Sequence, residues 1–304
     1  MGQGVYDLVI VGSGPAGLTA GLYAGRARIR TLIVEKSAIG GELMNRDLLE
    51  NFPGYPEGIY GPELAGKLVK QVQKLGIELQ IAEALRLKVE DKWKVIETTQ
   101  GNFISKSVIV ATGTSYKKLG IEEEFINKGV FYCATCDGPA FIGKNVVVVG
   151  GGDSGVTEAI FMAKIGVNVT IIEQKPKLTA QKYLQDKLHM TNNITVKCNT
   201  KVEKIIGKDE VEAVELVNLV TGHREVIAAQ GVCVRIGTVP NSQFVAGLLE
   251  LDADGKIIVN QLMETNVPMI FAVGDVRANS VGQIVAAMGD GAIAGMRVQH
   301  MLDL

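Results

Sequence analysis

The sequence is poor in cysteine and in net charge, and it lacks a long uncharged apolar run. Its 304 residues include four cysteines, too few for a disulfide framework in a chain of this length. Thirty-one basic residues stand against 33 acidic ones, a formal net charge of -2, so no large electrostatic field points to nucleic acid or an anionic membrane. No stretch reaches about 18 uncharged apolar residues. We therefore expect a cytoplasmic protein without nucleic-acid or membrane partners.

Aliphatic residues and glycine are abundant instead. The chain is 47% hydrophobic but only 5% aromatic, and it contains 36 glycines. This composition is typical of aliphatic strands, helices rich in small residues and many tight turns. The length suggests about two domains. We predict an α/β protein.

An internal repeat with an offset of 138 residues is the most informative feature of the sequence. Residues 8–17 (LVIVGSGPAG) and 146–155 (VVVVGGGDSG) each lead an apolar strand into a G-x-G-x-x-G turn and then a helix of small residues. The following strand of each repeat ends in an acid at the same relative position, Glu35 or Glu173. The aligned turn glycines are Gly12, Gly14 and Gly17 in the first copy, and Gly150, Gly152 and Gly155 in the second.

The spacing of these glycines suits a dinucleotide. The first glycine forms the tight turn, the second lets backbone N–H groups approach a pyrophosphate, and the third lets the helix pack on the strand. The helix N-terminus adds partial positive charge, and the terminal acid accepts hydrogen bonds from ribose hydroxyls. One such motif is weak evidence, but two in register predict two dinucleotide sites.

The cysteine pair Cys133-x-x-Cys136 admits three interpretations. Structural zinc would need a second close pair, but Cys198 and Cys233 are distant in sequence and the three histidines show no ligand spacing, so we predict no metal site. A structural disulfide is disfavoured in a reducing cytoplasm, which leaves a cycling redox pair as the leading interpretation. The other two cysteines are expected to be buried as small hydrophobic residues.

The order of motifs along the chain resembles a known family. The segments GSGPAG, GGELMNRDLLENFPGYPEGIYGPEL, VIVATG, CATCDG, VVVVGGGDSG, IGTVPN and FAVGDV resemble the low-molecular-weight thioredoxin reductases of the flavin disulfide reductase group over nearly the whole chain. The resemblance implies two Rossmann-like dinucleotide-binding domains of three layers, the second inserted in the first. It places an FAD-binding domain at 1–114 and 246–304, and an NAD(P)-binding-like domain carrying the C-x-x-C pair at 115–245.

The resemblance also implies the residues that bind the two nucleotides. Gly282 departs from the family, which commonly has arginine there, and this change bears on flavin exposure or potential. The FAD residues would be Gly12, Gly14, Pro15, Ala16, Gly17, Glu35, Lys36, Gly40, Gly41, Glu42, Asn51, Ala111, Thr112, Gly113, Gly274, Asp275, Gln283 and Ile284. The nicotinamide-nucleotide residues would be Gly150, Gly152, Asp153, Ser154, Gly155 and Glu173.

The position of the thiol pair just before the second glycine turn is also that of thioredoxin reductase. By this resemblance Cys136 faces the flavin, Cys133 attacks a protein disulfide and Asp137 acts as acid and base. The implied partners are thioredoxin or a similar small protein and a second copy of the chain in a homodimer. The inserted domain would rotate on the two crossings near Thr114 and Val245.

The electron donor is the point at which the sequence departs from the family. NADPH-using relatives carry a basic His-Arg-Arg run after the second strand, whereas this chain reads IIEQKPKLTAQK. An acid at Glu173 repels a 2'-phosphate and accepts hydrogen bonds from a free 2'-hydroxyl, and Gly155 replaces the usual alanine, so NADH is favoured over NADPH. A ferredoxin-linked reductase independent of nicotinamide is the first alternative, and a non-catalytic flavin redox sensor is the second.

Overall fold

The computed structural model describes residues 5–302, and the chain divides into two compact units. The first unit takes Met1–Ser115 and Val239–Leu304, and the second takes Tyr116–Thr238. No helix within residues 5–302 is both long and apolar enough to cross a membrane.

Helices and strands alternate around the two glycine turns, and runs of consecutive strands follow the second and the fifth helix. The helices are α1 (Pro15–Arg26), α2 (Gly61–Gln73), α3 (Ala134–Asp137), α4 (Asp153–Lys164), α5 (Lys182–His189) and α6 (Ile284–Met301). The strands of the first unit are β1 (Tyr6–Val11), β2 (Thr31–Glu35), β3 (Leu48–Leu49), β4 (Ile59–Tyr60), β5 (Glu78–Ile81), β6 (Ala84–Glu90), β7 (Trp93–Thr98), β8 (Gly101–Val110) and, after the second unit, β19 (Ile270–Ala272). The strands of the second unit are β10 (Val130–Phe131), β11 (Asn145–Val149), β12 (Asn168–Ile172), β13 (Ile194–Lys197), β14 (Thr200–Ile206), β15 (Ala213–Asn218), β16 (Arg224–Ala228) and β17 (Gly231–Val234). Strands β9 (Thr114–Tyr116) and β18 (Thr238–Pro240) lie at the two crossings between the units.

The main sheet of the first unit is built around β1. The strand order is β5-β2-β1-β8-β7-β6, with β19 also paired to β8, and β1 runs parallel to both β2 and β8. The apolar sequence of β1 is buried on both faces, as expected for a central parallel strand. Leu8 and Ile10 pack with α1 and α6 on one face, whereas Val9 and Val11 pack on the other face with Phe103.

Helices α1 and α6 approach each other closely because small residues line their contact. A Cβ atom placed on Gly291 would lie 2.2 Å from the backbone oxygen of Ala16, and one on Gly295 would lie 3.0 Å from that of Ala20. The contact therefore requires glycine at position 291. The small residues that the sequence places in α6 let two backbones pack, and they fix the helix beside the first glycine turn.

The second unit has a parallel sheet in the order β10-β17-β11-β12-β13, joined by an antiparallel sheet in the order β14-β15-β16. Strand β11 lies between β17 and β12, so the second glycine turn leaves the middle of the parallel sheet. Helix α4 packs on this sheet, with Val156 and Ala159 wholly buried in the core.

The two crossings between the units are hydrogen-bonded to each other, since β9 and β18 form a two-stranded sheet. The second crossing falls between Thr238 and Val239, before the expected boundary at residue 245. Residues after this crossing pack with the first unit: Val245 is wholly buried in the Phe103 cluster, and Ser242 Oγ donates to the Gly255 oxygen at 2.6 Å.

Candidate functional site

The first glycine turn has one position that tolerates a side chain and two that do not. Gly12 has φ +107°, and a Cβ there would lie 2.3 Å from the Ala111 oxygen. A Cβ on Gly17 would lie 2.0 Å from the Gly12 oxygen. A Cβ on Gly14 would have no atom within 4 Å, so open space lies over the backbone that precedes α1. The turn itself needs Gly12 and Gly17, and Gly14 leaves room for a ligand.

The Glu35 carboxylate is fixed against this turn. Its Oε2 accepts hydrogen bonds from the backbone N–H of Ser13 at 2.9 Å and from Ser13 Oγ at 2.8 Å, and its Oε1 accepts one from the Ser37 N–H at 3.1 Å. The N–H of Gly40 in turn donates to the Ser13 oxygen at 3.1 Å. Ser13 was not selected from the sequence, although it ties the acid, the turn and the 40–41 loop together.

Other residues assigned to FAD by resemblance gather at the same turn. A Cβ on Gly41 would lie 2.9 Å from Gly14 Cα, and a Cβ on Gly274 would lie 3.1 Å from Ala16 Cβ. Pro15 is the first residue of α1. Segments from three distant parts of the chain therefore surround the start of this helix.

The amide side chains of Asn51 and Gln283 meet, although they are 232 residues apart. Asn51 Nδ2 donates to Gln283 Oε1 at 3.0 Å, and Gln283 immediately precedes Ile284, the first residue of α6. Asp275 lies nearby in sequence, and its Oδ1 accepts from Ser280 Oγ at 2.7 Å. The structure thus brings the two predicted amides together and gives Asp275 a local partner.

The Ala-Thr-Gly exit of β8 is held by Asn241, which the sequence reasoning did not select. Asn241 Nδ2 donates to the Thr112 oxygen at 2.9 Å, and Thr112 Oγ1 donates to the Asn241 oxygen at 2.7 Å. The Asn241 N–H donates to the Gly113 oxygen at 3.0 Å, and Ser115 Oγ donates to Asn241 Oδ1 at 2.7 Å. The segment that leaves the first unit and the segment that returns to it are therefore both held by Asn241.

Two other side chains assigned to FAD make contacts away from the glycine turn. Lys36 Nζ pairs with Glu83 at 2.6 Å, and the lysine side chain is 69% exposed. Glu42 pairs with Arg46 at 3.2 Å. Neither side chain is bonded to the glycine turn by these contacts.

The second glycine turn repeats the geometry of the first. Gly150 has φ +118°, and a Cβ there would lie 2.1 Å from the Arg235 oxygen. A Cβ on Gly155 would lie 1.9 Å from the Gly150 oxygen, whereas one on Gly152 would have only Thr179 Oγ1 within reach, at 3.7 Å. The second position of this turn therefore also has space above it.

The acid that follows β12 repeats the contacts of the first acid. Glu173 Oε2 accepts from the Gly151 N–H at 2.7 Å, and Oε1 accepts from the Lys175 N–H at 2.9 Å. Asp153 opens α4, and its carboxylate accepts from the Gln181 backbone N–H at 2.7 Å and from Gln181 Nε2 at 2.6 Å. The neighbouring Ser154 is exposed. The second turn is thus braced by its own acid and by the residues before α5.

The two close cysteines form a disulfide at the start of α3. The Cα atoms of Cys133 and Cys136 are 5.4 Å apart, and the Cys136 N–H lies 3.2 Å from Cys133 Sγ. Cys133 is 9% exposed, and Cys136 is exposed. Partial burial raises the pKa of the Asp137 carboxyl, which is directly adjacent to the pair. An acid of raised pKa beside a thiol pair is suited to giving and taking a proton.

A buried ion pair supports the cysteine loop, and the sequence reasoning missed it. The Ala134 N–H donates to Glu158 Oε2 at 2.9 Å, and Glu158 pairs with Arg235, whose side chain is 1% exposed. The Arg235 guanidinium carbon lies 4.4 Å from the centre of the Tyr116 ring. The available sequence signals are an acid on the buried side of α4, among small and apolar residues, and an arginine directly after the buried strand GVCV.

The remaining cysteines differ in their burial. Cys233 is wholly buried, and burial together with the negative charge of Glu158 raises the pKa of its thiol to about 12, so it is an inert thiol. Cys198 is only half-buried, in contrast to the expectation, and burial also raises the pKa of its thiol.

Comparisons with known proteins agree with this arrangement. The pyridine nucleotide-disulphide oxidoreductase family matches residues 6–291. The chain is 38% identical over 302 residues to a thioredoxin reductase of Listeria innocua, covering 98% of this chain and 94% of the relative, and 39% identical to one of Bacillus subtilis, covering 98% and 95%. A crystal structure of Lactococcus lactis thioredoxin reductase superposes with a TM-score of 0.95 at 39% identity, covering 98% of this chain and all of the other. The predicted fold of two Rossmann-like domains is confirmed.

Proposed function

Since the chain belongs to the pyridine nucleotide-disulphide oxidoreductase family, we propose that it works as an FAD-dependent thioredoxin reductase. Electrons pass from a reduced nicotinamide nucleotide through FAD to the Cys133–Cys136 disulfide, and then to the disulfide of thioredoxin or a similar small protein. The observation that carries the proposal is the thiol pair directly ahead of the second of two matching glycine turns. We further propose a cytoplasmic homodimer, in keeping with the reductases that the chain resembles.

The residues around the first turn fit FAD. The open space over Gly14 and the N-terminus of α1 suit a pyrophosphate, because the backbone there can be approached closely. Glu35 would accept hydrogen bonds from the adenosine ribose, and Asp275 from hydroxyls of the ribityl part. When bound, the flavin would accept a hydride from the reduced nicotinamide and make its two electrons available to the disulfide. Residues 1–114 and 246–304 are thus assigned to FAD, with residues 239–245 added because they pack with the first unit.

The thiol pair then reduces the partner's disulfide by thiol–disulfide exchange. The Cys133–Cys136 disulfide accepts two electrons and two protons and becomes a dithiol, and Asp137 then takes the proton of the attacking thiol. One thiolate attacks the partner's disulfide, forms a mixed disulfide and releases one partner thiolate, which takes a proton from Asp137. The other thiol of the pair then gives up its proton and displaces the second partner thiol, which restores the Cys133–Cys136 bond.

The two cysteines are assigned different roles. The Cys136 N–H points at Cys133 Sγ, and such a donor favours a thiolate at Cys133 in the reduced pair, so Cys133 is the attacking thiol. Cys136 would be the sulfur that exchanges electrons with the bound flavin. Asp137 serves both steps as acid and base.

We propose NADH as the favoured donor because of Glu173. Its carboxylate is aligned by the N–H groups of Gly151 and Lys175 at the end of β12. A fixed negative charge there would repel the 2'-phosphate of NADPH and accept hydrogen bonds from the free hydroxyls of NADH. Glu173→Ala should therefore lower the preference for NADH about fivefold to 150-fold, corresponding to about 1–3 kcal/mol. An unchanged ratio of kcat/KM for the two nucleotides would remove Glu173 from donor selection.

A donor titration tests the whole proposal. Purified protein is mixed anaerobically with NADH, NADPH or reduced ferredoxin, flavin absorbance is followed, and thioredoxin is added to measure released thiols. Flavin bleaching by NADH with thiol release is the expected result. Bleaching by ferredoxin alone would favour the ferredoxin-linked reductase, and bleaching without thiol release from any small protein disulfide would favour the redox sensor. Protein that never binds FAD would refute all three.

A further inference from the structure

Arg235 is a buried cation that none of the steps above uses. Its side chain is 1% exposed, and that of its partner Glu158 is 7% exposed. Within residues 5–302, the Nε and Nη1 atoms of Arg235 have no hydrogen-bond partner. Removing two charges from water is costly and is repaid only in favourable geometry, so a stabilising role explains this pair poorly. A role at the neighbouring thiol pair accounts for it better.

The first link from Arg235 to the thiol pair runs through Glu158. The same Glu158 carboxylate that pairs with Arg235 accepts the N–H of Ala134, the residue directly after Cys133. The two contacts use different oxygens, Oε2 for the amide and Oε1 for the guanidinium. Arg235 therefore orients the carboxylate that anchors one side of Cys133.

The second link runs through two stacked tyrosines. The Arg235 guanidinium lies over Tyr116, which stacks on Tyr132 with ring centres 6.1 Å apart and planes 6° apart. Tyr132 directly precedes Cys133, and its hydroxyl donates to the buried carboxylate of Glu122 at 2.8 Å. The residues on both sides of Cys133 are thus held, and both attachments include Arg235.

The charges around the thiol pair are unbalanced without Arg235. Burial and the negative charge of Glu158 raise the pKa of the Cys233 thiol, whereas the positive charge of Arg235 lowers it. The ionisable groups on the segments around the pair are Asp137 on α3, Glu158 on α4, Tyr132 with Glu122 before the pair, and Cys233 and Arg235 on and after β17. Among these groups, all within residues 5–302, Arg235 is the only cation.

We propose that Arg235 is a positioning residue for the thiol pair: it holds Glu158 on the Ala134 N–H and cancels the negative charge that would otherwise oppose thiolate formation. This inference rests on the proposed dithiol chemistry and adds a residue to it. In Arg235→Leu, the Glu158 carboxylate is left without its cation beside the dithiol. A like charge disfavours a thiolate, so the pH at which the attacking thiolate forms should rise by about half to one unit.

The test measures thiolate formation directly. FAD-loaded protein is reduced with dithiothreitol, freed of reductant, and alkylated with iodoacetamide between pH 5 and 10. We expect the midpoint of the rate profile to rise in Arg235→Leu, with about a threefold to tenfold lower rate at pH 7, and to return towards wild type in Arg235→Lys. The matched control is Glu158→Gln combined with Arg235→Leu, which removes both charges and should also return the midpoint.

Coincident profiles for wild type and a folded Arg235→Leu protein would overturn the inference. A shift that persists in the double variant would overturn it as well, because the shift would not then come from the uncompensated carboxylate. If Arg235→Leu does not fold, Glu158→Gln alone decides: its midpoint should fall, since the cation is then uncompensated, and an unchanged midpoint counts against the proposal. Alkylation needs neither donor nor thioredoxin, so failure here leaves the proposed function standing. Normal alkylation without thioredoxin reduction would count against the proposed function alone.

Discussion

Gly14→Ala should have opposite effects on the stability of the apoprotein and on its affinity for FAD. Gly14 has φ -70° and ψ -175°, extended values that alanine adopts without strain, and a Cβ there would meet no atom within 4 Å. Alanine reduces the conformational freedom of the unfolded chain. The apoprotein should therefore become more stable by about 0.4–1 kcal/mol.

The effect on FAD binding should be a loss. The second glycine of such a turn lets the pyrophosphate approach backbone N–H groups, and a methyl group would fill the space over Gly14. Weakening one hydrogen bond to a charged phosphate costs about 1.5–3 kcal/mol, or about a tenfold to 150-fold rise in the dissociation constant for FAD. Quenching of FAD fluorescence on titration with apoprotein measures this constant.

Gly12→Ala is the matched control on the same turn. Its φ of +107° and the Ala111 oxygen at 2.3 Å from the added Cβ require the backbone to move, so the apoprotein itself should lose more than about 1–2 kcal/mol. The melting temperatures of the two apoproteins distinguish the two cases: Gly12→Ala should lower the melting temperature, because the fold needs this glycine, whereas Gly14→Ala should not. A stable Gly14→Ala protein with unchanged FAD affinity would show that no pyrophosphate approaches this turn.

Three further predictions concern the second unit. Cys133→Ser and Cys136→Ser should each abolish thioredoxin reduction while leaving the flavin bound and reducible, and activity retained in either variant would exclude the pair from the mechanism. Asp137→Asn should slow reoxidation of the dithiol by thioredoxin more than reduction of the flavin, because a proton must reach the leaving thiolate. Stopped-flow rates of reoxidation that equal those of wild type across neutral pH would refute this role. Burial would raise the pKa of the Glu122 carboxyl, but hydrogen bonds from Tyr132 and backbone N–H groups hold this pKa below its usual 4.5 in the folded protein. The ionised Glu122 therefore stabilises the fold above pH 4.5, and this contribution is lost as the pH falls through the pKa of the folded state. Glu122→Gln should therefore flatten the dependence of the melting temperature on pH in that range, and parallel curves for the two proteins would contradict it.

The two glycine turns could be predicted from the sequence because their requirements are local. Gly12 and Gly150 have positive φ, which few other residues tolerate, and each directly follows the end of an apolar strand. The acids Glu35 and Glu173 follow at the same place in each repeat, and the structure gives each of them a contact with the turn N–H one residue after the first glycine. One glycine motif alone is weak evidence for a dinucleotide site, and the agreement of the two repeats in spacing makes the prediction stronger.

The support for the thiol pair could not be predicted in this way. Glu158 and Arg235 are 77 residues apart, and their pairing depends on how α4 packs beside β17. An acid in a helix is most often a solvated residue, so Glu158 alone is only a weak signal of a buried ion pair. The family resemblance predicts the end of the inserted unit at residue 245. In the structure the second unit ends at Thr238, and Val245 is buried in the core of the first unit.

The pairing of β9 with β18 makes the second unit removable in principle. Hydrogen-bonded strands lie about 5 Å apart, so the chain leaves the first unit and returns to it at nearly one point. A short glycine-containing link between residues 115 and 239 would close that gap at little loop-closure cost. The first unit, for which we propose FAD binding, could then carry a different redox domain inserted between the same two residues.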